Sequence, residues 1–179
     1  MKQKKLLVPL AAIILMALVL CGTSKGFGAL EKKYEAQELD IMLHTLLPGS
    51  EVFAEEEYTG EDTNIRKIYK AENGYVIETT TFGYVDDITM LVGVSNEGTV
   101  TGLVVRQMAD TFGLGFNAVN DVDFLAQFLN TSGEAEVGTN VDAISGATVT
   151  SKAVTRNVNS AVAFVTGADV TSGATSWGG

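Results

Sequence analysis

The order of apolar and polar positions divides this chain into an apolar run, a helical stretch, a meander of strands and a closing helix. Leu6 to Cys21 is sixteen residues without a charge, interrupted only by Pro9. Extension through Gly22, Thr23 and Ser24 brings it close to the ~20 residues that span a bilayer. From Leu30 to Leu47, apolar residues at Leu30, Tyr34, Leu39, Met42, Leu43, Leu46 and Leu47 follow helical spacing, and Pro48-Gly49 ends the pattern. Residues 50–63 read as a polar loop. Strand-like runs follow: Ile65 to Lys70, Tyr75 to Thr81, Ile88 to Val94 and Thr99 to Met108. The linkers Ala71-Glu72-Asn73-Gly74 and Ser95-Asn96-Glu97-Gly98 put glycine where a hairpin needs positive φ, so the runs predict an antiparallel meander. A short helix is expected over Val122 to Leu129. A longer one is expected from about Ser151 to Val165, with Val154, Val158, Ala161, Val162 and Val165 on its buried side. The fold class this implies is α+β: an antiparallel meander packed with helices, preceded by one N-terminal transmembrane helix. The expected divisions are an anchor at 1–24, a folded domain at 25–166 and a tail at 167–179.

Charge orients the first element. Lys2, Lys4 and Lys5 precede the apolar run and are expected to stay in the cytoplasm, which puts the rest of the chain outside it. A retained anchor, a cleaved signal peptide and a lipoprotein modified on Cys21 are the three readings. No small-x-small cleavage site is evident, which favours retention. The bulky Leu20 before Cys21 speaks against lipid processing. All three place the domain on the extracytoplasmic side of the cell membrane. Without the three N-terminal lysines, 9 basic residues stand against 22 acidic ones, a net of −13. Such a surface repels phosphate backbones and excludes nucleic acid as a partner. Glu51, Glu55, Glu56, Glu57, Glu61 and Asp62 read as a solvated loop, with steering of a cationic partner as the alternative. One Cys and one His, His44, leave no internal disulfide and no CxxC or His-cluster metal site, and they speak against a His-based triad; no catalytic side chain is assigned.

Two motifs carry candidate chemistry. Asp110-Thr111-Phe112-Gly113-Leu114-Gly115 follows a strand, and its glycines allow either a tight structural turn or close backbone approach to a flat ligand. Asp142-Ala143-Ile144-Ser145-Gly146-Ala147-Thr148-Val149-Thr150-Ser151 sets an acid, a Ser-Gly-Ala turn and three hydroxyls ahead of the last helix. Thr148 falls near that helix's N-terminus, where unpaired N–H groups and the dipole favour a phosphate. Gly146 and Ala147 leave room for a group attached there. The competing reading is an ordinary helix cap, made by Thr148, Thr150 or Ser151.

The ordered set of these motifs resembles the FMN-binding domain family, which includes the G subunits of Rnf electron-transport complexes and the C subunit of sodium-translocating NADH:quinone oxidoreductase. The resemblance runs through Gly74–Thr79, Val92-Gly93-Val94, Gly98, Thr111, Gly113-Leu114-Gly115, Phe124-Leu125-Ala126-Gln127-Phe128 and the Asp142–Thr148 motif. It implies FMN bound covalently to Thr148 through its phosphate. It implies that Asp142, Ser145, Gly146 and Ala147 form the signal for a Mg-dependent flavin transferase using FAD as donor. Thr111, Gly113, Leu114 and Gly115 are implied to pack near the ring. The implied function is electron transfer as one subunit of a membrane-bound, ion-translocating oxidoreductase complex, with the other subunits and the transferase as partners. A stand-alone membrane-tethered flavoprotein in extracellular electron transfer shares every motif, and a binding module without flavin is the third reading. The chain departs from the family where Asp110 and Phe112 replace the usual Glu and Pro, and where Val85-Asp86-Asp87 replaces a glycine pair. The tail repeats the attachment pattern as Asp169-Val170-Thr171-Ser172-Gly173-Ala174-Thr175, with no helix after it to receive a phosphate.

Overall fold

The computed structural model describes residues 30–108 and 121–168. The chain divides into two compact units, Met1–Ile41 and Met42–Gly179. Of the first, residues 30–41 are described and are helical. The helix, α1, is helical over 30–46, so its last turn belongs to the second unit, and Gly49 at φ 87° turns the chain away after Pro48. The stop predicted at Pro48-Gly49 is therefore where the helix ends.

Five strands follow: β1 (Ala54–Glu56), β2 (Ile65–Lys70), β3 (Gly74–Phe82), β4 (Asp87–Ser95) and β5 (Val100–Met108). They form one antiparallel sheet in the order β1-β2-β3-β4-β5, the predicted meander with one strand added. The addition, β1, lies inside the expected polar loop. It has no apolar alternation because every residue in it is exposed. Charge holds it instead: Lys67 meets Glu55 at 3.0 Å and Lys70 meets Glu56 at 3.6 Å across the β1–β2 pair. Two acids of the cluster are thus cross-strand partners, and their charges also keep the edge strand from pairing with other chains.

Helix α2 (Val122–Ala126) opens on Asp121, whose carboxylate accepts from the Phe124 amide at 3.0 Å. It stops three residues short of the expected Leu129. The amides of Gln127, Phe128 and Leu129 bond three residues back instead of four, and Asn130 at φ 59° closes the turn. Helix α3 (Thr148–Thr166) begins three residues before the expected Ser151 and ends on Gly167 in the left-handed region. Val154, Val158, Ala161 and Val162 are buried as expected, and Val165 partly so.

The core lies between α3 and one face of the sheet. Ile77, Ile88, Met90, Val92 and Val94 meet Val154, Val158, Ala161 and Val162, with Phe124 and Phe128 of the α2 region packed edge to face alongside. Each such valine contributes roughly 1.5–3 kcal/mol on burial. The helix also buries polar residues, and Asn157 and Asn159 among them bond the backbone of other segments. Asn157 Nδ2 donates to the Ile88 carbonyl at 3.0 Å, and Thr81 Oγ1 donates to the Ala153 carbonyl at 2.9 Å. Asn159 bonds both the amide and the carbonyl of Ala135. The face of the sheet that carries Val76 takes the last turn of α1. Gly93 and Gly102 leave room there for Leu46, whose carbonyl accepts from Thr101 Oγ1 at 2.6 Å.

Among the described residues no helix is long and apolar enough to cross a membrane. The anchor expected at 1–24 lies outside the described residues, as do Thr111, Gly113, Leu114, Gly115 and the second Asp-x-x-Ser-Gly-Ala-Thr run.

Candidate functional site: the turn ahead of the last helix

The Asp142–Thr148 motif folds as a short extended segment, a turn and the first residue of α3. Ile144 and Ala147 close the turn, the Ala147 amide donating to the Ile144 carbonyl at 2.9 Å. Gly146 occupies the third position with φ 81°, a conformation that glycine adopts freely and L side chains resist. The Ser-Gly-Ala order therefore has a backbone cause. Ala147, almost fully buried, is the N-cap residue, and Thr148 is the first helical residue and exposed.

Two side chains hold this arrangement. Ser151, fully buried one turn into α3, donates through Oγ to the Ala147 carbonyl at 3.0 Å and accepts from the Ile144 amide at 3.2 Å. One hydroxyl thus ties the helix to the turn before it. Gln127, the C-cap of α2, grips Asp142 through both ends of its amide. Its Oε1 accepts from the Asp142 amide at 2.8 Å, and its Nε2 donates to the Asp142 carbonyl at 3.2 Å. Ser151 was visible as the last hydroxyl of the motif. Gln127 stood in the matching segment 124–128, but nothing in its spacing pointed to a residue fifteen positions on.

The helix-cap reading meets a specific difficulty. The cap position falls to Ala147, whose side chain makes no capping hydrogen bond. The first turn of a helix has amides that no intrahelical carbonyl can reach, and the dipole puts partial positive charge there. No acidic side chain occupies that turn. An exposed threonine on the first turn of a helix whose cap residue is an alanine, with a glycine before it, fits a phosphate group in charge and room.

The end of the molecule that carries this turn follows from the packing of α3. Ala153 meets Thr81 near the end of β3, and Phe164 meets Tyr75 near its start, so α3 runs against β3 and Thr148 projects toward the β3 exit. The hairpin between β3 and β4 is at that exit, closed by the Gly83 amide on the Asp86 carbonyl at 2.8 Å. Phe82, Tyr84 and Val85 of this region are exposed, at 56%, 70% and 49%. Ile88 pairs with Met108, so β5 also ends there. Met108 is the last described residue before Asp110–Gly115. Asp142, Ser145, Gly146, Ala147 and Thr148 are thus continuous in one turn, and all but Ala147 are at least partly exposed.

This geometry belongs to a stretch of chain with known relatives. Residues 83–163, from the β3–β4 hairpin to the last turn of α3, match the FMN-binding domain family, bearing out the resemblance read from the motifs. The chain is also similar to the G subunit of the Na(+)-translocating ferredoxin:NAD(+) oxidoreductase complex of Acetobacterium woodii. That likeness is 36% identity over 103 residues, covering 50% of this chain and 47% of the relative. The G subunit of the proton-translocating ferredoxin:NAD(+) oxidoreductase complex of Clostridium ljungdahlii is 36% identical over 110 residues, 55% of this chain and 59% of the relative. The G subunit of the ion-translocating oxidoreductase complex of Methanosarcina acetivorans is 37% identical over 97 residues, 51% of each. The chain spans about half the length of the curated relatives it matches.

Proposed function

We propose that this chain is an electron-transfer subunit of a membrane-bound, ion-translocating oxidoreductase complex and carries FMN covalently on Thr148. The observation that carries the reading is the exposed Thr148 on the first turn of α3, behind an alanine cap residue with no capping side chain, inside the segment that matches the FMN-binding domain family. Similarity to three G subunits of ion-translocating complexes supports the assembly. Residues 1–24 act as a single-pass anchor and the folded domain is extracytoplasmic. The partners are the other subunits of the complex.

Attachment is a group transfer from FAD catalysed by a Mg-dependent flavin transferase. The Thr148 oxygen bonds the FMN phosphorus as the pyrophosphate bond of FAD breaks. AMP leaves, and the hydroxyl proton passes to the transferase. Asp142, Ser145, Gly146 and Ala147 would present the signal for that enzyme, and Thr111, Gly113, Leu114 and Gly115, outside the described residues, are the loop assigned to the ring. The flavin, once bound, supplies the electron-transfer chemistry. The chain's own residues would hold it: Ser151 and Gln127 fix the turn, and the first turn of α3 would supply amides to the phosphate.

Co-expression of the full chain with a flavin transferase tests this directly. One FMN adduct in peptides covering Thr148, with a fluorescent band on a denaturing gel, is the expected result. Thr148→Ala should abolish both. A fluorescent Thr148→Ala chain would overturn the assignment and transfer it to Thr175.

A further inference from the structure

Thr148, Lys152 and Arg156 follow one another at intervals of four along α3, so they are neighbours on one side of the helix. Thr148 and Lys152 are exposed and Arg156 is half-buried. Arg156 differs from three other cations of the folded domain: Lys67, Lys70 and Arg106 each pair with a glutamate. Arg156 forms no ion pair among the described residues, and unlike Arg66 and Lys152, which also form none there, it is half-buried. It is held instead by a neutral contact, Nη2 donating to the Phe82 carbonyl at 3.2 Å. Burial alone holds its guanidinium below the ordinary arginine value. A partly desolvated cation without a counter-ion is costly to keep unless an anion comes to it.

The surroundings say which anion. Arg156 is tied to the Phe82 backbone, where β3 enters the hairpin whose exposed Phe82, Tyr84 and Val85 offer apolar surface to a flat ring. It lies eight residues from Thr148, roughly 12 Å along the helix. A group tethered at Thr148 and laid along this side of α3 passes Lys152 first and reaches Arg156 with the hairpin beside it. FMN has matching chemistry in the same order: a phosphodiester anion, a polyol arm and a flat ring. Uptake of two electrons and one proton leaves that ring with one net negative charge.

We propose that Arg156 is the cation that sets the reduction potential of the tethered flavin, with Lys152 neutralising the phosphodiester. This rests on FMN being attached at Thr148. The acidic surface of the chain makes a bound flavin harder to reduce. Arg156 opposes that locally by favouring the charge the ring gains.

The test is a redox titration of the flavinylated full chain with dithionite against a reference dye, followed by absorbance. Mass spectrometry first places the adduct, and circular dichroism checks each fold. Arg156→Gln should shift the equilibrium with the dye about tenfold toward oxidised flavin, about 30 mV for a two-electron couple. Arg156→Lys should restore the wild-type midpoint. Arg106→Gln, which removes the same charge from the Glu78 pair on β5, should leave it unchanged. An unchanged midpoint in a folded, flavinylated Arg156→Gln chain overturns the proposal and leaves the attachment intact. If Arg156→Gln does not fold, Arg156→Met, which keeps the aliphatic stem, decides: its midpoint should fall likewise, and an unchanged midpoint overturns the proposal. A wild-type chain without FMN on Thr148 overturns the attachment and this inference together.

Discussion

Removing the Gln127 side chain isolates what holds the attachment turn in place. Gln127→Ala deletes two hydrogen bonds, at 2.8 and 3.2 Å, both to the backbone of Asp142. A typical intramolecular hydrogen bond contributes a net ~0.5–1.5 kcal/mol, so the pair contributes roughly 1–3 kcal/mol. Asp142 is exposed, so water can replace the lost partners, which puts the expected loss at about 1–2 kcal/mol. That loss is local, because the core residues Phe124 and Phe128 keep the α2 region packed. Amide hydrogen exchange at Asp142 is the sensitive assay, and it should accelerate by a factor of about 5–30. The melting temperature should fall by about 2–4 °C per kcal/mol of the loss that global unfolding registers. Gln127→Glu sharpens the test. It keeps an acceptor for the Asp142 amide and sets a carboxylate oxygen against the Asp142 carbonyl, so it should recover little of the protection. Wild-type exchange at Asp142 in Gln127→Ala would refute the claim that this side chain fixes the turn.

Two further outcomes follow from the packing and the charges. Gly93→Ala places a methyl far inside contact distance of the Leu46 carbonyl and 2.7 Å from Thr101 Oγ1. Overpacking of this kind costs about 1–3 kcal/mol, and a thermal melt that matches wild type would refute the close seat of the last turn of α1 on the sheet. The hydrogen bond to Glu55 is the main cause that raises Lys67 above its ordinary value of 10.5. The charged form is therefore favoured in the folded state. That contribution is complete below the unfolded value and fades as pH rises through the higher folded one. Stability measured above pH 10.5 should decline less steeply in Lys67→Met than in wild type; equal slopes would mean that the pair adds nothing to stability.

What could be read in advance was whatever rested on regular alternation. β2 to β5 announced themselves by apolar runs cut at Gly74 and Gly98, and the face of α3 by Val154, Val158, Ala161 and Val162. β1 could not be read, because it is an exposed edge strand with no buried side chains, joined to β2 by its backbone and by two surface ion pairs. Nor could the burial of Asn157 and Asn159, whose partners Ile88 and Ala135 are 69 and 24 residues away. At the candidate site the motif gave Thr148 its place near a helix N-terminus, while the structure adds that Ala147, not a hydroxyl residue, holds the cap. Gln127 and Arg156 escaped notice for one reason: each acts through the backbone of a distant segment, and a one-dimensional pattern carries no sign of that.

The length of α3 turns the repeated motif into a ruler. Nineteen helical residues set Thr148 and Thr166 roughly 27 Å apart, and Gly167 closes the far end. The first copy of Asp-x-x-Ser-Gly-Ala-Thr leads into the start of α3, and the second follows Gly167 in the sequence, outside the described residues. The same seven-residue pattern is offered twice in one molecule, and the first copy has Gln127 and Ser151 to shape it. A transferase that reads letters would label both threonines, and one that reads shape would label only Thr148. The ratio of the two adducts on a single chain therefore measures whether that enzyme recognises a sequence or a fold.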